Sequence, residues 1–128
     1  ARCDSVCCAS AFALPFADRS IDVVTCSQVL HHFEGDEALA LLRECTRVAR
    51  RAVVVGDLRR SWLAVAGIWS ASFALGFHPV SRHDGALSVR RGFTRRELEA
   101  LVYEATGCHA TVRQTPGFRL SACWQPAP

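Results

Sequence analysis

The chain has 128 residues, half of them hydrophobic, and a formal net charge of +3. This length limits it to one domain, and the hydrophobic share excludes a compositionally disordered chain. No basic run with interleaved aromatic residues occurs, so nucleic-acid binding is not expected. The chain contains no methionine and opens without a charged-then-apolar signal sequence. Either the start was processed away or, as we expect, the chain is a fragment of a longer protein. The cysteines favour a reduced, cytoplasmic protein.

The seven cysteines make an odd number and include no CxxC pair. This pattern argues against a disulfide scaffold and favours free thiols. The alternative is a metal site built from Cys3, Cys7 and Cys8 with His31 or His32. That spacing matches no standard zinc pattern, so no bound metal is expected.

The first predicted elements in chain order are two strands. Residues 6–9 (VCCA) form a short apolar run, and residues 21–27 (IDVVTCS) are rich in β-branched residues, which favours a strand more strongly. The near-continuous apolar character of the second run predicts that both of its faces are buried.

A strand–helix–strand unit follows from this second strand. Asp36 is predicted to cap a helix that runs to about Ala49, because apolar residues recur at helical spacing within it. Residues 52–56 (AVVVG) then read as the next strand. Such a unit places its two strands parallel to each other, with a right-handed crossover.

The remaining chain alternates apolar and polar segments. Residues 62–77 predict a helix, which is either a core or lid helix or an interfacial, lipid-facing helix that lines an apolar pocket; it is short for a bilayer span. Residues 78–92 are polar and predict a loop. Residues 94–97 (TRRE) form a capping-box pattern, and Gly107 would end that helix. Residues 109–115 and 119–124 predict an antiparallel hairpin.

Three motifs together resemble the central part of class I methyltransferases that use S-adenosylmethionine (SAM). They are SAFALPF at residues 10–16, DRSIDVV at 18–24 and VLHH at 29–32. The most similar group is the small-molecule type found in ubiquinone and menaquinone biosynthesis. Residues 82–94 also look like a stretch of some bacterial members. The resemblance covers nearly the whole chain and implies SAM as the cofactor.

The resemblance implies an α/β, Rossmann-like fold with a mostly parallel sheet that ends in an antiparallel hairpin. The family's Gly-rich turn beside SAM has no counterpart here, so we expect the fold to be incomplete at the N-terminus. The strand at residues 21–27 would then lie at an edge of the sheet. Residues 1–128 would form a partial methyltransferase domain, with a substrate-pocket or lid insertion at residues 61–93.

The resemblance also implies roles for individual residues. Serine at position 10 replaces an acidic residue that is usual in the family, which would weaken its bond to the adenine. Each role has a structural alternative. Ser10 can be a turn residue, Phe12 can be a core residue, and one of the two histidines can have a purely structural role. The residues implied at the cofactor are Ser10 and Ala11 at the adenine, Phe12 packed near it, and Ser27 and Gln28 near the methionine part. His32 would lie at the methyl-transfer centre and could act as a general base.

The implied function is methyl transfer to a small, partly apolar acceptor, such as a quinone precursor, a phenol or a polyketide-like molecule. The isolated fragment is expected to be inactive and to show no SAM binding by calorimetry. The alternative is a non-catalytic or degenerate methyltransferase-like module that pairs with another chain or with the missing N-terminal half. An unrelated α/β enzyme is a third reading, because such sheets support many chemistries. No transmembrane segment is expected.

Overall fold

The computed structural model of the chain describes residues 6–76, 78, 85 and 87–127. Cys3, Phe77 and the predicted motif residues 82–84 lie outside this part. The described elements are β1 (Ile21–Ser27), a 3-10 turn (Leu30–His32), α1 (Asp36–Val48), β2 (Ala49–Leu58), α2 (Trp62–Ala74), α3 (Arg95–Thr106), β3 (Thr111–Thr115) and β4 (Arg119–Trp124). Residues 85 and 87–91 are also helical.

The four strands form one sheet in the order β1-β2-β4-β3. β1 and β2 are parallel and are joined through α1, whereas β4 runs antiparallel to both β2 and β3. The α/β class, the parallel unit and the closing hairpin are as predicted. The sheet is mixed rather than mostly parallel, because the described part contains one parallel pair and two antiparallel pairs. β1 lies at an edge, as expected.

Helix α1 and strand β2 follow one another without a loop. Gly35 precedes the helix with φ 54°, so Asp36 is the first helical residue and not the cap. Its carboxylate and that of Glu37 still lie in the first turn, where negative charge is favourable. β2 begins at Ala49, three residues before the predicted start.

The core lies on one face of the sheet, under α1 and α3. Strand residues alternate in direction, and those that face the helices are buried. Leu42 of α1 and Leu98 of α3 are fully buried against this face. The buried strand residues are Ala49, Val53, Val55, Asp57, Val112, Leu120, Ala122 and Trp124. The Trp124 indole N–H also donates to Thr46 Oγ1 at 3.1 Å, which satisfies its polar atom.

The other face of the sheet is open in the described part of the chain. Val23 of β1 is 49% exposed there, and Arg113 and Cys123 are exposed on β3 and β4. The prediction that β1 is buried on both faces is therefore wrong. The predicted strand at residues 6–9 is wrong as well, since these residues have no strand partner and a lone strand leaves its backbone bonds unmade.

The segment after β2 differs most from its prediction. α2 ends at Ala74, and Ser61 caps it by accepting from the Ala64 amide at 3.4 Å. Residues 87–91 are helical where a loop was predicted. Gly92 then passes directly over the end of β2, where an added Cβ would lie 2.6 Å from the Leu58 carbonyl oxygen. Only glycine permits this approach.

Helix α3 begins and ends as the sequence predicted. The Glu97 amide donates to Thr94 Oγ1 at 3.3 Å, and the Thr94 amide donates to Glu97 Oε2 at 2.8 Å. This reciprocal pair is the predicted capping box. Gly107 ends the helix in the left-handed region, with φ 70°. Among the described helices, none combines the length and the apolar character needed to cross a bilayer.

Candidate functional site

The carboxyl ends of β1 and β2 lie side by side, because the two strands are parallel and Ser27 pairs with Gly56. The Gln28 amide donates to the Gly56 carbonyl at 2.7 Å and turns the chain out of β1. Gln28 adopts φ 57°, a left-handed conformation that non-glycine residues adopt at a cost and that occurs preferentially at functional sites. Ligands of open α/β sheets bind at this kind of edge.

Asp57 and His31 form a buried pair next to this edge. His31 Nδ1 and Asp57 Oδ1 are 2.6 Å apart, and the His31 backbone amide donates to Oδ2 at 3.1 Å. The Leu58 amide also donates to Oδ1, at 2.6 Å. The two side chains are 5% and 0% exposed. An ionised carboxylate only accepts, so Nδ1–H is the donor of this bond, and Nε2 is the ring nitrogen that this contact leaves for other partners.

His32 lies beside this pair without a carboxylate partner of its own in the described chain. Its ring is exposed, with its centroid 4.1 Å from that of His31. The family motifs imply the catalytic role for His32 and none for Asp57. The position of Asp57 in the sequence could have indicated this role. Asp57 directly follows the AVVVG run of β2, and β2 is adjacent to β1, which leads into the histidines.

The predicted adenine residues lie in the loop before β1. Ser10 Oγ accepts from the Phe12 amide at 3.3 Å, which is the bond of a local turn. The Phe12 ring meets Phe33 edge-on, with 5.1 Å between ring centroids. Because Phe33 follows His32 directly, Phe12 is brought to the same region as the histidines. Ala11 is half-buried and packs against the core.

Two residues of α1 hold the loop that contains residues 14–16 (LPF), which we call the LPF loop. Glu44 Oε1 accepts from the Leu14 amide at 2.7 Å, and Arg47 donates to the Phe16 carbonyl at 3.0 Å. Arg47 also pairs with Glu44 at 2.7 Å and with Asp18 at 2.5 Å. The hydrogen bond from Arg47 lowers the pKa of Glu44. Sequence reasoning missed this anchor, because it joins residues about 30 positions apart.

Cys26 of β1 is a poor nucleophile despite its place near the pair. Burial raises its pKa, and the charge of Asp57 raises it further. A neutral thiol is not the reactive form of cysteine. Among the described residues, no group of three or more His, Cys, Asp or Glu side chains could hold a metal ion.

Comparison with known sequences gives one family. Residues 2–55, less than half of the chain, match the family described as a methyltransferase domain. No curated protein matches the chain.

Comparison with solved structures gives consistent likenesses. A SAM-dependent methyltransferase from Aquifex aeolicus has a TM-score of 0.66 and 14% identity, covering 96% of this chain and 55% of that one. An O-methyltransferase family protein from Burkholderia thailandensis has a TM-score of 0.52 and 19% identity, covering 83% and 30%. Magnesium protoporphyrin IX methyltransferase from Synechocystis, solved with bound SAH, has a TM-score of 0.55 and 14% identity, covering 93% and 49%.

These likenesses concern the fold, since the identities are low. The chain spans between about a third and just over half of the length of these three structures. They confirm the predicted α/β, Rossmann-like fold class, which is the fold of these methyltransferases.

Proposed function

We propose that this chain forms the acceptor side of the active site of a SAM-dependent methyltransferase. Its residues 2–55 match the methyltransferase-domain family, and its fold is similar to that of SAM-dependent methyltransferases. The reaction is methyl transfer to an oxygen of a small, partly apolar acceptor. The observation that carries this proposal is the buried Asp57–His31 pair, whose bond length of 2.6 Å fixes the imidazole beside the cofactor edge of the sheet.

His31 is the proton acceptor in this proposal. The bond to Asp57 keeps the proton on Nδ1, so Nε2 is free to take a proton from a phenol or enol hydroxyl. Asp57 stabilises the imidazolium that forms, because its carboxylate is already bonded to the ring. His32, for which the motifs imply the role of base, instead contacts the acceptor from its exposed position. SAM supplies an activated methyl group, so the remaining task of the chain is to align the acceptor oxygen with it.

The cofactor contacts are proposals that rest on the family resemblance and on the edge geometry. Ser27 and Gln28 are exposed at the carboxyl end of β1, where Gly56 adds no side chain. This opening suits the methionine part of SAM. Ser10, Ala11 and Phe12 are the proposed adenine contacts. The Ser10 hydroxyl oxygen accepts from the Phe12 amide with one lone pair, and its second lone pair is the proposed acceptor for the adenine amino group.

The acceptor is proposed to be partly apolar because of the segment at residues 61–93. Helix α2 contains no charged residue and exposes several large apolar side chains. We propose that this segment forms the substrate pocket or lid. Acceptors of suitable size and polarity are quinone precursors, phenols and polyketide-like molecules.

The test uses the complete gene product with methyl-labelled SAM and a panel of phenols and quinone precursors. Label should move to an acceptor oxygen. His31→Ala should lower kcat by about a hundredfold or more, the usual contribution of a general base. Asp57→Asn should lower kcat as well, because the pair acts as one unit. His32→Ala should raise KM more than it lowers kcat.

His109→Ala is the matched control, since this exposed histidine stacks on Tyr103 and has no contact with the pair. It should leave both kinetic constants unchanged. Failure of every acceptor to take label would contradict methyl transfer. Equal turnover of His31→Ala and the parent protein at every pH would remove the base role.

A second function, a non-catalytic module that pairs with another chain, is favoured by one observation. β1 is an edge strand whose Val23 is 49% exposed, and such edges attract further strands. Sedimentation of the purified complete gene product, alone and after mixing with cell extract fractionated by size, distinguishes the enzyme from the module. A stable complex that transfers no label from SAM supports the module, whereas an active single species supports the enzyme.

A further inference from the structure

A cavity of about 460 Å³ opens where α2 begins. It is lined by Arg60, Ser61, Trp62, Val65, Arg90 and Thr94. Two of these side chains are guanidinium groups, and no carboxylate is among the described residues of its lining. The cavity therefore combines positive charge with an indole and an aliphatic wall.

In the part of the chain that the structure describes, only one of the two guanidinium groups of the cavity has a carboxylate partner. Arg60 is held in place, because its Nε donates to the Gly92 carbonyl at 3.0 Å and one of its terminal nitrogens meets Glu97 Oε1 at 3.1 Å. Arg90 is exposed and forms no ion pair with a described residue. Among the described side chains, Glu97 thus compensates one guanidinium and none compensates the other, which suits an anion as its partner.

A second concavity, of about 390 Å³, continues along α2. Trp62 and Val65 line both concavities, so the two adjoin, and Ala66, Trp69 and Ser70 complete the second. We call the combined space the α2 groove. Trp62 is 80% exposed and Trp69 is 56% exposed. Large apolar side chains exposed side by side mark a binding surface more often than a solvated one.

We propose that the α2 groove binds an amphipathic anion, and that this anion is the methyl acceptor. Its carboxylate meets Arg90 and Arg60 at the first concavity, and its apolar part lies along Trp62 and Trp69. Guanidinium groups match a carboxylate with two parallel hydrogen bonds, which fixes the orientation as well as the position of the ligand.

The short chain separation between Arg60 and Asp57, the partner of His31, suits an acceptor of modest size. Arg60 is three residues beyond Asp57, so their Cα atoms are at most about 11 Å apart. A molecule with its carboxylate at one end and its reacting oxygen near His31 can span this length. This step rests on the proposed function, whereas the occupancy of the groove by an amphipathic anion does not.

The test measures binding alone, by calorimetry on the complete chain without SAM. Octanoate and 1-octanol, which differ only in the charged head, are titrated separately at concentrations where both stay dissolved. Octanoate should bind saturably and more tightly than 1-octanol. Arg90→Gln should weaken octanoate at least about tenfold, as expected for losing a charge-assisted bond, and leave 1-octanol unchanged. Trp62→Ala should weaken both.

Arg96→Gln is the matched control, because Arg96 is exposed on α3 and does not line the groove. It removes the same charge and should leave both affinities unchanged. Equal loss in Arg90→Gln and Arg96→Gln would overturn the proposal, and so would the absence of saturable octanoate binding. Recruitment to phosphatidylglycerol vesicles without octanoate binding would overturn it as well, since α2 would then contact a membrane. Because no methyl transfer is measured, failure of the proposed enzyme activity leaves this result interpretable.

Discussion

Asp57 holds His31 at two atoms, the ring Nδ1 at 2.6 Å and the backbone amide at 3.1 Å. Both contacts are buried, and they tie the turn after β1 to the end of β2. The arrangement therefore stabilises the fold at the same place where it orients the imidazole. A change at Asp57 should therefore affect both stability and the orientation of His31.

Asp57→Asn should reduce the free energy of unfolding by about 2 kcal/mol or more. The asparagine amide keeps the shape of the side chain but replaces one acceptor oxygen with a donor, which would face an N–H group of His31 or Leu58. Urea unfolding measures the change. Asp22→Asn is the control, because Asp22 pairs with Arg50 and Arg51 with a side chain that is 54% exposed. Asp22→Asn should lower the free energy of unfolding by less than about 1 kcal/mol. Equal losses in the two variants would contradict the prediction.

Two glycines should respond to alanine with opposite signs. At Gly92 the new Cβ would lie 2.6 Å from the Leu58 carbonyl oxygen and 3.1 Å from the Arg60 amide nitrogen. These are backbone atoms, so the chain itself must shift, and stability should fall by about 1–3 kcal/mol. At Gly67, inside α2, the new Cβ meets nothing within 4 Å. Stability should rise there by up to about 1 kcal/mol.

Thermal unfolding of the two glycine variants, followed by circular dichroism, provides the comparison. The Tm of Gly92→Ala should fall, and that of Gly67→Ala should rise or stay constant. A Gly92→Ala protein as stable as the parent would mean that the segment over β2 is not packed as described.

The capping box at α3 predicts a specific loss and a specific rescue. Thr94→Ala removes the oxygen that accepts from the Glu97 amide at 3.3 Å and should cost about 1 kcal/mol. Thr94→Ser restores an acceptor at the same position and should recover most of that loss. Chemical denaturation of the parent protein, Thr94→Ala and Thr94→Ser measures their free energies of unfolding and tests this order of stability. If the serine variant were as unstable as the alanine variant, the loss would come from the methyl group and not from the cap.

The sequence predicted the elements that carry local signals. The capping box at Thr94, the stop at Gly107 and the strand Ile21–Ser27 were predicted with their bounds, because side-chain chemistry within a few residues determines them. The helical residues at 87–91 were missed, because their sequence is polar and resembles a loop. The strand at residues 6–9 was wrong because apolar character alone supplies no partner for the backbone.

The candidate site was predictable as a region and not as a set of contacts. The carboxyl ends of β1 and β2 follow from the parallel unit, which the alternation of strand and helix predicted. The bond between His31 and Asp57 joins residues 26 positions apart. Asp57 bonds to His31 and not to His32 because of the 3-10 turn at Leu30–His32. This turn buries the ring of His31 and leaves the ring of His32 exposed.

Glu44 predicts how stability changes in acid. The hydrogen bond from Arg47 holds the pKa of Glu44 below its ordinary value of 4.5 in the folded chain. A carboxyl whose pKa is lowered by folding adds stability above its unfolded pKa, and this stability is lost as the pH falls through the folded pKa. Glu44→Gln should therefore be less stable than the parent protein near neutral pH. The two stability curves should converge as the pH falls below 4.5 and through the folded pKa of Glu44.

Urea unfolding at a series of pH values measures this convergence. Glu104→Gln is the matched control, because Glu104 is exposed on α3 and makes no bond to the LPF loop. Its curve should lie close to that of the parent protein near neutral pH. A constant difference between Glu44→Gln and the parent down to low pH would show that the ion pair with Arg47 is not the cause.

The cysteines should divide into reactive and protected groups. Cys7, Cys8 and Cys123 are exposed, whereas Cys45 is buried in α1. Burial raises the pKa of the Cys45 thiol to about 12, with smaller contributions from Cys26 and Glu44. Since the thiolate is the reacting form, Cys45 should resist alkylation for as long as α1 stays packed.

Iodoacetamide labelling at pH 8, mapped by mass spectrometry, tests this division. The three exposed cysteines should be modified in the folded chain, and Cys45 only after urea is added. Leu42→Ala sharpens the test, because Leu42 is fully buried in the same core. Its loss should cost about 2–5 kcal/mol and should accelerate labelling of Cys45 through more frequent opening. Labelling of Cys45 as fast as Cys7 in the folded parent protein would contradict the packing of α1 against the sheet.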